Sequence, residues 1–188
     1  MNGPIINNTL IKSENLRIEM AIYPLLQFPD PLLNRPGKTV TVFDENLKEI
    51  VSNMFETHYA QENCAALAAT QLGIEMKITV IDFSDMKNQP LCLINPEIIE
   101  KSGSHQEEEG CMSVSGVSAK ITRASRIKIK YQDITGQEQQ MSAEGFMAKC
   151  IQHEIDHLNG VLYLERLNHL KRKMLEMKIL KLKIKKKF

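Results

Sequence analysis

Several features that would place the chain in a specialised class are missing from its sequence. No apolar run in the 188 residues approaches the roughly 18–20 residues that a transmembrane helix needs, so we expect no stable membrane insertion. Residues 1–19 lack a charged segment followed by an apolar core, so they do not form a secretory signal. Neither a repeat nor a linker divides the chain, which favours a single domain.

Cysteine is also scarce. The chain has four cysteines and none of them form a CxxC pair. A chain of this length can bury a core without disulfides, and without a signal peptide the expected location is the reducing cytoplasm. A cysteine with a special role is therefore expected to be a metal ligand or a nucleophile.

The hydrophobic pattern predicts an α+β fold, in which antiparallel strands and a β-hairpin pack around a central buried helix. Strands are predicted at 77–83, 91–99, 126–132 and 137–143, the last two joined by the turn DITG. Helices are predicted at 44–60, at 144–160 and from 171 to the C-terminus, and residues 160–167 look strand-like.

The domain organisation follows from this map. Residues 20–170 form the main domain, and residues 171–188 are a basic C-terminal helix that belongs to it. Residues 1–19 are interpreted either as a flexible N-terminal arm or as residues upstream of a start at Met20. The sequence leaves both interpretations open.

The central helix carries CIQHEIDHLNG, residues 150–160, which contains the pattern HExxH. His153 and His157 are one turn apart, so both imidazoles can reach one metal ion, with Glu154 beside a water on that ion. The alternative is a chance pattern in which both histidines bond to the backbone. Because two histidines hold a metal ion poorly, a third ligand is expected.

Candidates for the third ligand were compared in turn. The pattern HExxHxxGxxH fails, because its last position is Tyr163. A glutamate from a downstream helix would have to be Glu176, which lies within the basic tail. Cys111, in the segment EEEGCMSVSG read as a loop, would complete a Cys/His/His set with one open position, as in catalytic zinc sites.

These residues resemble the signature motifs of the peptide deformylase family. EGCMS at 109–113 and QHEIDHLNG at 152–160 look like two of its motifs, and CAALAATQ at 64–71 resembles the third, GxGxAAxQ. FPDP, TQLGI and INPEIIEKSG also occur in the family's order and spacing. The resemblance covers the chain from about Ile22 to the C-terminus. Taken together, the motifs are highly specific for the family.

The resemblance implies a fold, a reaction and a metal. A family member removes the formyl group from the N-terminal formylmethionine of new polypeptides and releases formate. The resemblance implies Fe(II) held by Cys111, His153 and His157, with Zn, Ni or Co as occupants of the purified protein. Coordination chemistry alone favours zinc.

The family resemblance also implies roles for other residues. Glu154 would be the general base and then the general acid. The side-chain amide of Gln71 and the backbone N–H of Met112 would stabilise the oxyanion. Glu109 would orient the site, and Arg123 would lie near the substrate groove.

Substrate contacts are expected on two sides of the site. Phe146 and Cys150 share the helix face of the histidines, so they are candidate walls of a methionine pocket, although both could equally be ordinary core residues. The peptide would lie extended along residues 63–66, which include Ala65 and Ala66, as an added strand.

Three positions depart from the family pattern. Cys64 and Ala66 replace the two glycines of GxGxAAxQ. If either position required a positive φ, the residue that replaces glycine would destabilise the fold by roughly 1–2 kcal/mol. If the segment were plain β structure, the only effect of the added Cβ would be a narrower groove. Ser115 stands where the family has proline, which is expected to loosen that loop.

The C-terminal segment is strongly basic. Residues 171–188 contain nine lysines and arginines against Glu176, a net charge of about +8 that leaves about −7 for the rest. Apolar residues recur at three- and four-residue steps, which predicts a helix packed through this stripe: Leu170, Met174, Met177, Leu180, Ile184 and Phe188. The charge also suits ribosomal RNA, or less well an anionic membrane surface.

Three functions therefore stay open at this point. The favoured one is a deformylase that acts on N-formylmethionyl nascent peptides. A metallopeptidase would use the same HExxH helix, and Cys111 argues against it. A catalytically weak paralogue that binds ribosomes or nascent chains is suggested by Cys64 and Ala66.

Overall fold

The computed structural model describes residues 22–185, and this part of the chain folds as the predicted α+β domain. The predicted arm at residues 1–19 lies outside the described residues. The strands are β1 (Ala66–Ala68), β2 (Ile78–Ile81), β3 (Leu91–Ser102), β4 (His105–Gly110), β5 (Ser118–Arg123), β6 (Arg126–Gln132) and β7 (Glu138–Glu144). The helices are α1 (Glu45–Ala60), α2 (Gly145–Leu158) and α3 (His169–Lys185).

The strands form two antiparallel sheets. The larger sheet has the order β1-β2-β3-β6-β7, and β4 pairs with β5 in the smaller one. The predicted hairpin is the β6–β7 pair, which runs from Arg126 opposite Glu144 to Gln132 opposite Glu138. Because β1 is at the end of the larger sheet, one of its edges is free of strand partners within the described chain.

Helix α2 lies against the larger sheet and joins it to the smaller one. Ala148 and Ile151 are completely buried and share a core cluster with residues of β2, β3, β6 and β7: Ile81, Leu93, Ile127, Ile129 and Ala143. Full burial of a side chain such as Ile151 stabilises the fold by about 1.5–3 kcal/mol. The opposite face of the helix carries the two histidines toward β4.

The chain leaves α2 at a glycine that the local geometry requires. Gly160 has φ of +72°, a conformation that L-residues rarely adopt. A Cβ at this position would also lie 2.5 Å from the carbonyl oxygen of Asn34. Gly160 therefore ends the helical region, and its lack of a side chain lets the backbone at Asn34 pack against it.

Two predictions of local structure were wrong. The segment read as a loop before Cys111 is largely β4, a strand that sequence alternation did not reveal because it consists of His105, Gln106, three glutamates and Gly110. The strand-like residues 160–167 instead contain the 3-10 helix Tyr163–Arg166. Tyr163 and Leu164 are buried there, which explains their strand-like hydrophobicity.

The C-terminal helix packs through a different face from the one predicted. Ile179 is buried and Leu175 packs on the same cluster, which includes Val114 and Tyr163. The predicted stripe instead points to solvent, with 45–70% exposure at Leu170, Met174, Met177, Leu180 and Ile184. Phe188 lies outside the described residues. Thus α3 has one apolar face in the core and a second one exposed.

No helix within residues 22–185 is long and apolar enough to cross a membrane.

Candidate active site

Three potential metal ligands converge between β4 and α2. Cys111 follows β4 directly, while His153 and His157 lie one turn apart on α2. Nε2 of His157 is 3.2 Å from Sγ of Cys111 and 3.2 Å from Nε2 of His153. One ligand atom from each of the three residues lies within 4.8 Å of the others.

This donor set fits a divalent metal ion. One thiolate and two imidazole nitrogens suit zinc or a similar transition metal, and three protein ligands leave a position open. His157 is buried, and burial lowers its pKa well below the ordinary value. The neutral imidazole that burial favours is the form that binds a metal ion.

A buried carboxylate holds the first histidine. Glu109 Oε2 lies 3.1 Å from Nδ1 of His153, which leaves Nε2 of that ring facing the other ligands. Burial alone would raise the pKa of Glu109, but hydrogen bonds from Arg123 and His153 lower it to about 2. A carboxylate on the distal nitrogen of a ligating histidine fixes the ring orientation and raises its basicity.

Arg123 does not lie in the predicted place. Its Nε and Nη2 donate to the two oxygens of Glu109 at 2.7 and 2.9 Å, and its Nη1 donates to Asp156 Oδ2 at 2.5 Å. Its three nitrogens are thus engaged by carboxylates, and the guanidinium lies behind the candidate ligands and does not line the cavity in front of them. Asp156 also binds Arg166, through Nε and Nη2.

Glu154 directly follows His153 on the same helix. Its side chain is buried, and its Oε2 has no hydrogen-bond partner among residues 22–185. Burial raises the pKa of Glu154 to about 7. A carboxyl group with this pKa can both take and return a proton near neutral pH.

The side chain of Gln71 is fixed beside Cys111. Its Oε1 accepts a hydrogen bond from Ala68 N at 2.9 Å, which orients Nε2 toward Cys111 Sγ at 3.6 Å and Ser113 Oγ at 3.1 Å. The carbonyl oxygen of Met112 accepts a hydrogen bond from Gln27 Nε2 at 2.9 Å. Gln71 and Met112 both line the cavity at the site.

The cavity in front of the ligands has a volume of about 530 Å³. One wall is the segment from Asn63 to Ala66, and the opposite wall comes from α2, where Phe146 and Cys150 line the space together with His153 and Glu154. Phe146 is half exposed and Cys150 is buried. Both predicted wall residues therefore face the cavity.

The free edge of β1 opens onto this cavity. Asp82 N donates to Ala65 O at 3.1 Å, so the polar groups of Ala65 point toward β2. Since successive residues of a strand point their backbone groups to opposite sides, those of Ala66 face the free edge. An extended peptide could therefore pair with the backbone of Ala66.

The two replaced glycines carry no backbone strain. Among the described residues other than glycine, positive φ occurs only at Asn63, Lys87 and Asn95. Neither Cys64 nor Ala66 therefore adopts the conformation that favours glycine, and Ala66 lies in strand β1. Burial raises the pKa of Cys64 to about 12, and its thiol donates to Ala66 O at 3.2 Å.

Ser115 makes hydrogen-bond contacts that a proline could not make. Its hydroxyl lies 2.9 Å from Gln27 Oε1 and 3.1 Å from the carbonyl oxygen of Met112, and it can donate to either. The expected loosening of this loop stays a prediction.

Sequence reasoning missed several residues that support the site. Asp156 and Arg166 extend the ion-pair network, Ser113 positions Gln71, and Glu107 pairs with Lys149. Asp156 follows Glu154 by two positions on a buried helix, and a buried carboxylate there signals a need for cationic partners.

Comparison with known proteins identifies the family to which the chain belongs. The family model described as polypeptide deformylase matches residues 22–173. The chain belongs to this family. Peptide deformylase 1 of Coxiella burnetii is 54% identical over 165 residues, which cover 86% of this chain and 97% of the relative.

Solved structures of family members have the same fold. The crystal structure of a peptide deformylase from Legionella pneumophila has a TM-score of 0.83 and 38% identity, covering 88% of this chain and 98% of that one. A Synechococcus elongatus peptide deformylase, in complex with actinonin, has a TM-score of 0.78 and 38% identity, covering 83% of this chain and 86% of that one.

Family membership gives the activity. The chain is a metal-dependent hydrolase that removes the formyl group from the N-terminal formylmethionine of new polypeptides. The favoured reading of the sequence is thereby confirmed, and the metallopeptidase and binding-paralogue readings are not supported by these comparisons.

Proposed function

We propose that Cys111, His153 and His157 hold the metal ion and that Glu154 carries the proton in the deformylation reaction. The observation that supports this most directly is the convergence of Sγ and two Nε2 atoms, within 4.8 Å of one another, beside a buried carboxyl group. A divalent ion held by these three residues would supply Lewis acidity, which would lower the pKa of a water molecule toward neutral pH. We propose Fe(II) as the native ion, on the family resemblance.

Residues of the chain then carry out the proton transfers and stabilise the oxyanion. Glu154 accepts the proton of the attacking water and delivers it to the leaving amine, as its pKa of about 7 allows. The Nε2–H of Gln71 and the backbone N–H of Met112 donate to the developing oxyanion. Loss of one such donor costs about 3–4 kcal/mol of transition-state stabilisation.

The substrate is placed by the two walls of the cavity. The formylated peptide adds as a strand to the free edge of β1, with main-chain bonds to Ala66. Its first side chain points toward Phe146 and Cys150. Actinonin, which the Synechococcus relative binds, is expected to occupy the same groove.

The deciding experiment is formate release from formyl-Met-Ala-Ser. The protein is purified without oxygen and loaded with Fe(II), and Glu154→Gln, which keeps the side-chain volume, is assayed beside it. We expect one metal per chain in both proteins and a 10²–10⁴-fold lower kcat in the variant. Equal rates would contradict the role of Glu154, and metal binding that survives Cys111→Ala and His157→Ala would contradict the ligand set.

We also propose that the ribosome is a partner and that the cytoplasm is the location, where nascent chains emerge. The basic helix α3 supports this, because its lysines, most of them exposed, suit the phosphates of ribosomal RNA. Ribosome affinity should fall steeply with added salt, and flat dependence would contradict the RNA contact. Exchange of Lys178 and Lys181 for glutamine should weaken binding without changing formate release from a short peptide.

A further inference from the structure

The free edge of β1 offers one backbone carbonyl on which the proposed peptide binding depends. Ala66 and Ile81 are opposite each other in the β1–β2 pair, and the hydrogen bond from Asp82 N to Ala65 O lies beside them. Adjacent residues of a strand point their polar groups to opposite sides, so the N–H and C=O of Ala66 point away from β2. A strand added at this edge would use these groups.

The carbonyl oxygen of Ala66 accepts a hydrogen bond from within the chain. Sγ of Cys64, two residues away along the backbone, lies 3.2 Å from this oxygen. Burial raises the pKa of the Cys64 thiol to about 12, so the sulfur keeps its proton at neutral pH and can donate it. Cys64 also lines the cavity together with Ala66, on the wall along which we place the peptide.

This contact comes from a side chain that the family pattern lacks. Cys64 stands at the first glycine of GxGxAAxQ, and a glycine there would leave the oxygen of Ala66 to the peptide. A thiol is a weaker hydrogen-bond donor than an amide N–H, so a peptide can displace it. The exchange nevertheless uses part of the free energy that the new hydrogen bond supplies.

We propose that the Cys64 thiol competes with the formylated peptide for the carbonyl oxygen of Ala66, and that this competition lowers the affinity of the enzyme for its substrates. The thiol must turn away from the oxygen before a peptide N–H can take its place. Because the peptide keeps its hydrogen bond to Ala66 throughout the reaction, the competition raises KM and leaves kcat nearly unchanged. The inference rests on the proposed addition of the peptide to the edge of β1.

The test compares two variants at position 64 with the wild type, by kcat and KM of formate release from formyl-Met-Ala-Ser. Cys64→Ala removes the donor and keeps the Cβ, so we expect KM to fall about threefold with kcat unchanged. Cys64→Ser introduces a stronger donor, so its KM should exceed that of Cys64→Ala. A KM in Cys64→Ala that equals or exceeds the wild-type value would overturn the proposal.

Cys92→Ala is the matched control. Cys92 packs against the same core cluster as Cys64, and burial likewise raises its pKa to about 12, but its side chain does not line the cavity. The KM of this variant should equal that of the wild type. An equal fall of KM in Cys92→Ala and Cys64→Ala would contradict the proposal, because it would assign the effect to looser packing.

A second measurement does not depend on turnover. Formyl-Met-Ala-Ser is bound to the slow variant Glu154→Gln, and the S–H stretching bands are recorded by infrared spectroscopy. Binding should shift one band toward the frequency of a thiol without a hydrogen bond, and the shift should be missing when Cys64→Ala is added. Unshifted bands with bound peptide would contradict the competition, whereas a wild-type protein that releases no formate would contradict the catalytic proposal alone.

Discussion

Arg123 and Glu109 form a two-bonded ion pair in which both side chains are almost completely buried. Asp156 extends the pair on one side and His153 on the other. The charges of this cluster depend on one another, because a buried carboxylate without a cationic partner is costly. The position of His153, a proposed metal ligand, is therefore coupled to Arg123 through Glu109.

Arg123→Met should destabilise the protein by about 3–5 kcal/mol, because it leaves the carboxylates of Glu109 and Asp156 underpaired in the interior. The metal affinity should fall together with the free energy of unfolding, since Glu109 no longer fixes His153. Denaturant unfolding and metal titration measure the two effects. The control is Arg126→Met at an exposed position nearby, which should have little effect on either quantity; equal effects of both variants would contradict the coupling.

Gln71→Ala should lower kcat by about 10²–10³-fold with metal content unchanged, because we propose that the amide donates to the oxyanion and does not bind the metal ion. The comparison variant is Ser113→Ala, which removes only the partner of Gln71 Nε2. It should reduce kcat less. Loss of the metal ion in Gln71→Ala would instead assign this residue to the structure of the metal site.

Asp82 should make stability depend on pH at low pH. Burial alone would raise its pKa, but hydrogen bonds from Ser84, Tyr59 and Gln89 lower the pKa to about 2, below the usual 3.8. The contribution of the Asp82 carboxylate to the free energy of unfolding is therefore complete above about pH 4 and is lost as the pH falls toward 2. Asp82→Asn should be less stable by about 1–3 kcal/mol at pH 7, and the difference should shrink between pH 4 and 2. Exposed Asp85→Asn, in the same loop, should show no such trend in denaturant unfolding.

Gly160→Ala should destabilise the fold by roughly 1–3 kcal/mol through backbone strain, with steric overlap adding to it. The added Cβ would meet Asn34 O at 2.5 Å, and φ is +72°. Gly110→Ala is the control for stability, since an added Cβ there has no neighbour within 4 Å among the described atoms. Thermal unfolding of the two variants should separate clearly, and equal melting temperatures would contradict the strain.

The helix and hairpin predictions succeeded where one face of an element is apolar and the other polar. Helix α1 and the β6–β7 pair have such faces, so their period could be read directly from the sequence. The convergence of the three candidate ligands could be predicted because the two histidines of HExxH on a buried helix need a further partner. The structure brings Cys111 next to them.

Other features depend on tertiary contacts that no local pattern reports. Strand β4 faces α2 with Glu107 and Glu109, whose charges are satisfied by Lys149, His153 and Arg123, so its sequence resembles an exposed loop. Arg123 was assigned to the groove because the sequence does not reveal that its donors are all engaged.

Helix α3 illustrates a different limit. It has two apolar faces with equally good helical spacing, one through Leu175 and Ile179 and the other through Met174 and Met177. The spacing of the apolar residues cannot tell which of the two faces packs against the core. Only the position of the cluster around Val114 and Tyr163 selects the former.

The shortness of strand β1 has a consequence for the range of chains that the enzyme can serve. Three residues, Ala66–Ala68, form the outermost strand of the larger sheet. So short an edge offers little surface for sheet-to-sheet aggregation, yet it can align the first residues of a passing chain through backbone groups that all proteins share. Under the proposed binding mode, the enzyme can process many different proteins and still remain soluble among them.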